Sequence, residues 1–173
     1  MAKEKKTAAV EDSIQLVTFQ VGTEEYGLDI SSITEVVRPL KITPLPKMPV
    51  FIEGVINLRG VIIPVVDLRN RFELKTIKND QRKMRMIITR GAVHGTAGAS
   101  SGLLGLVVDN VDEVIHVPKK DIDPAPEAAT GRNVDFITGM GKVGDRLIIL
   151  LDITSILSQQ ERVALAEAGN AEY

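Results

Sequence analysis

Cysteine is absent from this 173-residue chain, which excludes disulfides, thiolate catalysis and zinc–sulfur sites. Aromatic residues make up only 3% of it, so any core must be packed with aliphatic side chains; Val, Ile and Leu supply them within a hydrophobic fraction of 44%. Charge of one sign is also missing. A formal net charge of −2 gives no general pull toward nucleic acid or an anionic membrane. The apolar runs fall well short of the roughly 18 residues of a transmembrane helix. Met1-Ala2-Lys3-Glu4-Lys5-Lys6 is charged but is not followed by the apolar stretch of a signal peptide. These absences point to a soluble cytoplasmic protein of one domain or two small ones, long enough to bury about two-thirds of its unfolded surface.

What is present is a repeat. Gly27-Leu28-Asp29-Ile30-Ser31-Ser32-Ile33-Thr34-Glu35-Val36 aligns without a gap on Gly105-Leu106-Val107-Val108-Asp109-Asn110-Val111-Asp112-Glu113-Val114. Phe51-Ile52-Glu53-Gly54 matches Phe136-Ile137-Thr138-Gly139, and Val61 to Leu68 matches Arg146 to Ile153 in the same register. Two copies of one β-rich unit imply two similar barrels sharing a core. Between the matched blocks the first copy reads Asn57-Leu58-Arg59-Gly60 and the second Lys142-Val143-Gly144-Asp145. Shared residues are expected to be scaffold, and the unshared arginine to carry function.

The pattern predicts a hairpin from Ile14–Val21 and Tyr26–Ile30 about Gly22-Thr23-Glu24-Glu25. Ser31 to Arg38 fits a short helix by spacing and a strand by β-branching. Four prolines between Pro39 and Pro49 make an extended connection. A second hairpin is predicted from Val50–Asn57 and Val61–Leu68, with Pro64 suggesting an edge strand or a bulge. Residues 75–90 are basic and read as a solvated loop and strand edge. Gly91–Gly102 reads as a long glycine-rich tip. Strands are expected over Leu103–Val108 and Leu147–Asp152, with a second connection over Asp121–Gly131. Ser158-Gln159-Gln160-Glu161 resembles a capping box opening a helix that ends at Gly169. The domain layout expected is a disordered tail over 1–13, a barrel pair over 14–158 (roughly 14–74 and 80–158), and a helix and tail over 159–173. Whether terminal strands exchange between the halves stays open.

Two catalytic motifs fail on context. Gly98-Ala99-Ser100-Ser101-Gly102 matches a nucleophile elbow, with Asp109 and His116 following in hydrolase order. A small-residue loop leading into a strand is the wrong frame, since the elbow needs a strand before and a helix after. Gly139-Met140-Gly141-Lys142-Val143-Gly144 matches a dinucleotide fingerprint, but a strand follows instead of the helix N-terminus that would hold a pyrophosphate. His94 and His116 lack a second ligand at metal spacing. No catalytic residue, metal site or cofactor is expected. Small β-barrels also bind single-stranded nucleic acid, but that needs basic stripes and stacking aromatics. Phe19, Tyr26, Phe51, Phe72 and Phe136 occupy core-like positions instead.

A binding module remains. Glu35 and Arg59 are the candidates for an ion pair, because only the first copy has both; the second keeps Glu113 but has Gly144 in the place of Arg59. The pair either ties strands together or anchors an interface.

Glu25-Tyr26-Gly27-Leu28-Asp29-Ile30, Ile42-Thr43-Pro44-Leu45-Pro46 and the run from Gly54 through Asn57-Leu58-Arg59-Gly60 to Asp67-Leu68-Arg69 resemble the CheW family of bacterial chemotaxis coupling proteins. Ile122-Asp123-Pro124-Ala125-Pro126 and Phe136-Ile137-Thr138-Gly139 are similar to that family as well, and the likeness runs from about residue 14 to 158. The resemblance implies a mainly β fold of two five-stranded SH3-like barrels with short helices and a C-terminal helix. It implies a non-enzymatic adaptor, monomeric alone, that couples the helical-hairpin tips of methyl-accepting chemoreceptors to the regulatory domain of the histidine kinase CheA. By that likeness Ile33, Glu35, Val36, Gly54, Asn57 and Arg59 take positions linked to receptor binding, and Ile42 one tied to kinase docking. An apolar groove between the barrels would then accept a helix, with Ile33, Val36, Val108 and Val111 lining it. The rival readings are a coupling module of a motility or biofilm pathway, a CheV-like protein, for which the chain ends too early, and a kinase regulatory domain cut from a longer protein, which Met1 and the polar tail at Tyr173 argue against.

Overall fold

Strand β1 (Ser13–Val21) folds back on β2 (Glu24–Asp29) through a turn in which Gly22 adopts φ +65°. The computed structural model describes residues 12–46, 52–74, 80–90, 102–125 and 136–157. After a 3-10 turn capped by Asp29, the ambiguous segment settles as strand β3 (Ile33–Val37). Alternating burial there shows that β-branching outweighs the helical spacing. β4 (Ile52–Leu58) and β5 (Val61–Asp67) form the second predicted hairpin, and the short helix α1 (Leu68–Arg71) follows, capped by Asp67. The second half contributes β6 (Arg85–Arg90), β7 (Leu103–Val108), β8 (Asn110–Pro118), β9 (Ile122–Pro124), β10 (Ile137–Val143) and β11 (Arg146–Leu151).

Two sheets result, with orders β3-β6-β7-β5-β4 and β8-β1-β2-β11-β10-β9. Each takes its leading hairpin from the other half of the sequence: β6–β7 joins the first copy's β3, β4 and β5, while β1–β2 joins the second copy's strands. The exchange obeys the repeat. Val65 lies opposite Gly105 in the parallel β5–β7 pair, and Leu150 opposite Gly27 in the parallel β11–β2 pair. The second sheet has six strands rather than the expected five, because Ile122–Pro124 pairs with β10. In the first, only Thr43 makes the equivalent bridge, to Val55.

Pro64 lies in central strand β5, between β7 and β4, not on an edge. Its partner Val55 directs its own N–H and C=O to Thr43, so the Val55–Pro64 pair needs no ladder donor from proline. Each sheet has its own small core, with Ile56, Ile63, Val65, Met86 and Ile88 in one and Leu16, Val117, Ile148 and Leu150 in the other. A larger cluster between them joins Phe19, Leu28, Leu104, Leu106 and Val108 to Leu68 and Ile153. β7 reads as a near-continuous apolar run because its alternate faces serve two cores. Phe19, Tyr26, Phe72 and Phe136 stack in series beside it, and the Arg71 guanidinium caps the row over Phe136. Phe51, the tail, the glycine-rich tip, most of the second connection and the C-terminal helix fall outside the described residues.

Candidate functional site

Turn chemistry presents Arg59. The β4–β5 hairpin reverses at Arg59-Gly60, where both residues have positive φ (50° and 88°), and Asn57 Oδ1 accepts the Gly60 N–H at 2.8 Å to close it. Gly60 tolerates that conformation; arginine pays about 1–2 kcal/mol for it. In the second copy the same place in the β10–β11 turn is taken by Gly144, at φ 60°. The first copy therefore keeps a long cationic side chain where the fold would rather have glycine.

From that tip, Arg59 Nη2 reaches Glu35 Oε1 on β3. Glu35 is aimed by a β-bulge: Ile33 pairs with Thr89 and Glu35 with Ile88, leaving Thr34 as the extra residue. The second copy repeats the bulge at Asp112, between Val111 and Glu113. The arginine is 70% exposed and the glutamate half-buried, so the pair sits at the surface. Val36, Val61 and Ile62, on the two elements that it joins, are each about two-fifths exposed.

The other predicted residues separate. Ile33 is half-buried against the shared core. Gly54 is structural in its immediate setting, since its φ is +147° and a Cβ there would lie 2.2 Å from the Thr43 carbonyl oxygen. Ile42 is half-buried beside the first sheet's core. Val108 is fully buried, so it presents no surface to a groove; Val111 is half-buried against the same cluster. Both point inward because β7 and the start of β8 run past the shared core.

The expectation that only the first copy has an Arg–Glu pair is overturned. Arg146, two positions beyond Gly144, donates from Nη1 to Glu113 Oε1 at 2.7 Å and from Nε to Glu25 Oε2 at 3.1 Å. The gapless alignment sets Arg146 against Val61, which hides the equivalence. The two acids hold the guanidinium charged, raising its pKa. Beside it, burial and then the Glu25 charge push the Asp112 carboxyl up.

Neither decoy motif has a catalytic frame. Gly139–Gly144 lies in the β10–β11 hairpin, and β7 begins directly after Gly102. Ser100 falls outside the described residues. Asp109 accepts the Gly22 N–H at 2.7 Å and lies 3.7 Å from Arg69, which ties the β1–β2 turn to helix α1. His116 lies on β8 opposite Gln15. Among the described residues no three His, Asp or Glu gather to hold a metal, and no helix is long and apolar enough to cross a membrane.

Two SH3-like barrels with exchanged hairpins, a shared aliphatic core and a surface ion pair define a duplicated β module. The family model described as a CheW-like domain matches residues 15–161, and the chain belongs to that family. It is 35% identical to the chemotaxis protein CheW of Klebsiella aerogenes over 147 residues, covering 85% of this chain and 83% of that one. It is 32% identical to the chemotaxis protein CheW of Treponema pallidum over 161 residues, covering 92% and 91%. The crystal structure of the scaffolding protein TtCheW from Thermoanaerobacter tengcongensis superposes with a TM-score of 0.74 at 36% identity, covering 86% of this chain and 94% of that one.

Proposed function

We propose that the chain is a non-enzymatic cytoplasmic adaptor that couples methyl-accepting chemoreceptors to the histidine kinase CheA in chemotaxis arrays. Receptor tips dock at the Arg59–Glu35 face, with Val36 and Ile33 contributing apolar contact, and the kinase regulatory domain docks near Ile42. Membership of the CheW-like family supports this reading, and so do the chemotaxis names of its relatives.

One observation carries the assignment of the face: Arg59 occupies a left-handed turn position at φ 50° where the repeat uses glycine. A strained residue kept against a cheaper alternative points to use of its side chain. An exposed ion pair cannot justify it through stability alone, being worth roughly 0–1 kcal/mol. Its value is in presenting a guanidinium oriented by a carboxylate at the surface, and arginine is a common interface anchor.

The test is calorimetric titration into an isolated CheA regulatory domain and into a receptor-tip fragment, repeated with Arg59→Gly. Glycine suits the turn, so the variant folds with stability equal to or above the parent. Loss of the receptor step alone supports the coupling role and this face. Binding of neither partner by the parent protein sinks the reading; an unfolded variant makes the arginine structural.

A further inference from the structure

We propose that Asn57 is a positioning residue: its side-chain oxygen fixes the β4–β5 reversal as a type I′ turn and thereby aims the Arg59 guanidinium. The inference rests on the Arg59 docking face proposed above. It gives Asn57 a part in that contact that acts through the turn, without touching the partner.

Two buried residues hold the loop to two positions. Ile56 and Ile63 face each other across the hairpin inside the first core, so a slip of one residue would turn a core side chain to water. Leu58 then pairs with Val61, and Arg59 and Gly60 make the reversal. Positive φ at both marks it as type I′. In the second copy Val143 pairs with Arg146 about Gly144-Asp145. There only Gly144 has positive φ, which marks type II′.

The two types differ in how the peptide between the central residues is turned. Type II′ takes glycine at its first central position, so a side chain stands there only in the type I′ form. That peptide carries the Gly60 N–H, and Asn57 Oδ1 accepts it at 2.8 Å. The bond holds the peptide in the orientation that admits Arg59.

The second copy supplies the comparison. Its turn has glycine where the arginine stands and needs no brace. The residue matching Asn57 is Lys142, whose ammonium is a donor only and pairs with Asp123 Oδ2 at 3.0 Å. Among the described residues the other non-glycine of positive φ is Glu73. The end of helix α1 accounts for it: the Leu74 N–H reaches the Arg69 carbonyl and the Glu73 N–H that of Asn70, a Schellman closure. At Arg59 the brace comes from a side chain instead. Removing that acceptor leaves the strain of a left-handed arginine unopposed, and the share of molecules with the guanidinium aimed falls.

Backbone NMR of the full chain, with no partner present, reads the turn directly. Asn57→Ala should speed hydrogen exchange of the Gly60 amide by about three- to tenfold and move the Arg59 carbon resonances away from left-handed values. Asn57→Asp, which keeps the acceptor, should leave both as in the parent. Titration with the receptor-tip fragment then reads function. Asn57→Ala should weaken binding by about three- to tenfold while leaving the CheA regulatory-domain step unchanged. Asn57→Asp should match the parent once molar salt screens its added charge. Gly60 exchange that ignores Asn57→Ala overturns the inference. So does a turn that loosens with no change in receptor affinity. An equal loss in Asn57→Asp and Asn57→Ala at both salts overturns it too, and makes Asn57 itself the contact. A parent that binds no receptor tip removes the docking face; Gly60 exchange alone then upholds or overturns the hold of Asn57 on the turn.

Discussion

Arg146 pairs with Glu113 in the second barrel as Arg59 pairs with Glu35 in the first, although the two arginines stand at different places in the repeat. Both glutamates are turned outward by a bulge at the preceding residue, Thr34 or Asp112. The arginines arrive by separate routes. Arg59 reaches across from the hairpin tip, while Arg146 starts strand β11 and also holds the half-buried Glu25 on β2. The duplicated fold thus preserves an electrostatic contact rather than a sequence position.

Arg146→Ala should cost more stability than Arg59→Ala, because it abandons two carboxylates, one of them largely shielded from water. Urea denaturation at low salt should show a loss of about 1 kcal/mol for Arg146→Ala, against a value near zero for Arg59→Ala. The gap should narrow in molar salt as the remaining acids are screened. Equal losses would show that Glu25 gains nothing from its burial beside the arginine.

Gly54→Ala should destabilise the fold by about 2–4 kcal/mol, combining a left-handed backbone with a Cβ driven into the Thr43 carbonyl. Gly139→Ala, at the equivalent place, meets the Asp123 carbonyl oxygen at 2.7 Å without the positive φ and should cost less. Thermal melts of the two variants check the order. If Gly54→Ala melts like the parent and still fails to bind receptor, the glycine is itself a contact.

Burial, and then the Glu24 charge, push the Tyr26 phenol up to about 12 from its usual 10. The unfolded chain loses that proton first, so the native state holds more protons between pH 10 and about 12. Stability therefore falls as pH rises through that window. Tyr26→Phe should abolish this part of the alkaline loss in guanidinium titrations at pH 9 and 11. An unchanged slope would mean that the phenol reaches water in the native state.

The Asp112 carboxyl is raised by burial first and by Glu25 second, opposed by Arg146 and the Asn110 side chain. A raised acid destabilises the native state once it ionises, so its contribution worsens as pH rises above the ordinary carboxylate range. Asp112→Asn should accordingly raise the melting temperature at pH 7 and leave it unchanged at pH 3. A gain of the same size at both values would locate the effect in packing instead.

Much of the strand content was legible because β-branched alternation and turn residues act locally. The β1–β2 and β4–β5 hairpins and β7 fall where Gly22, Arg59-Gly60 and the apolar runs predict them. Of the two readings of Pro64 only the edge fails: β5 is central, while the β4–β5 pair carries a bulge at Glu53, opposite Val65 and Val66 beside the proline. Val108 misled because the repeat aligns it with exposed Ile30, while β7 is buried on both faces. Arg146 was missed because a gapless alignment compares positions, and an ion pair requires only that two charged ends meet.

The amino-acid sequence by itself determined that the chain is duplicated, mainly β and aliphatic in its core, since periodicity and turn chemistry are properties of short segments, and its motifs carried the likeness to the CheW family. Only the tertiary structure decided that each barrel borrows its leading hairpin from the other half, and that the shared core closes between them. It also decided which arginine meets which glutamate and which valines stay in water. These depend on contacts between residues more than 120 positions apart, 121 for Arg146 and Glu25 and 123 for Leu150 and Gly27, and no local pattern encodes the partner chosen at that distance.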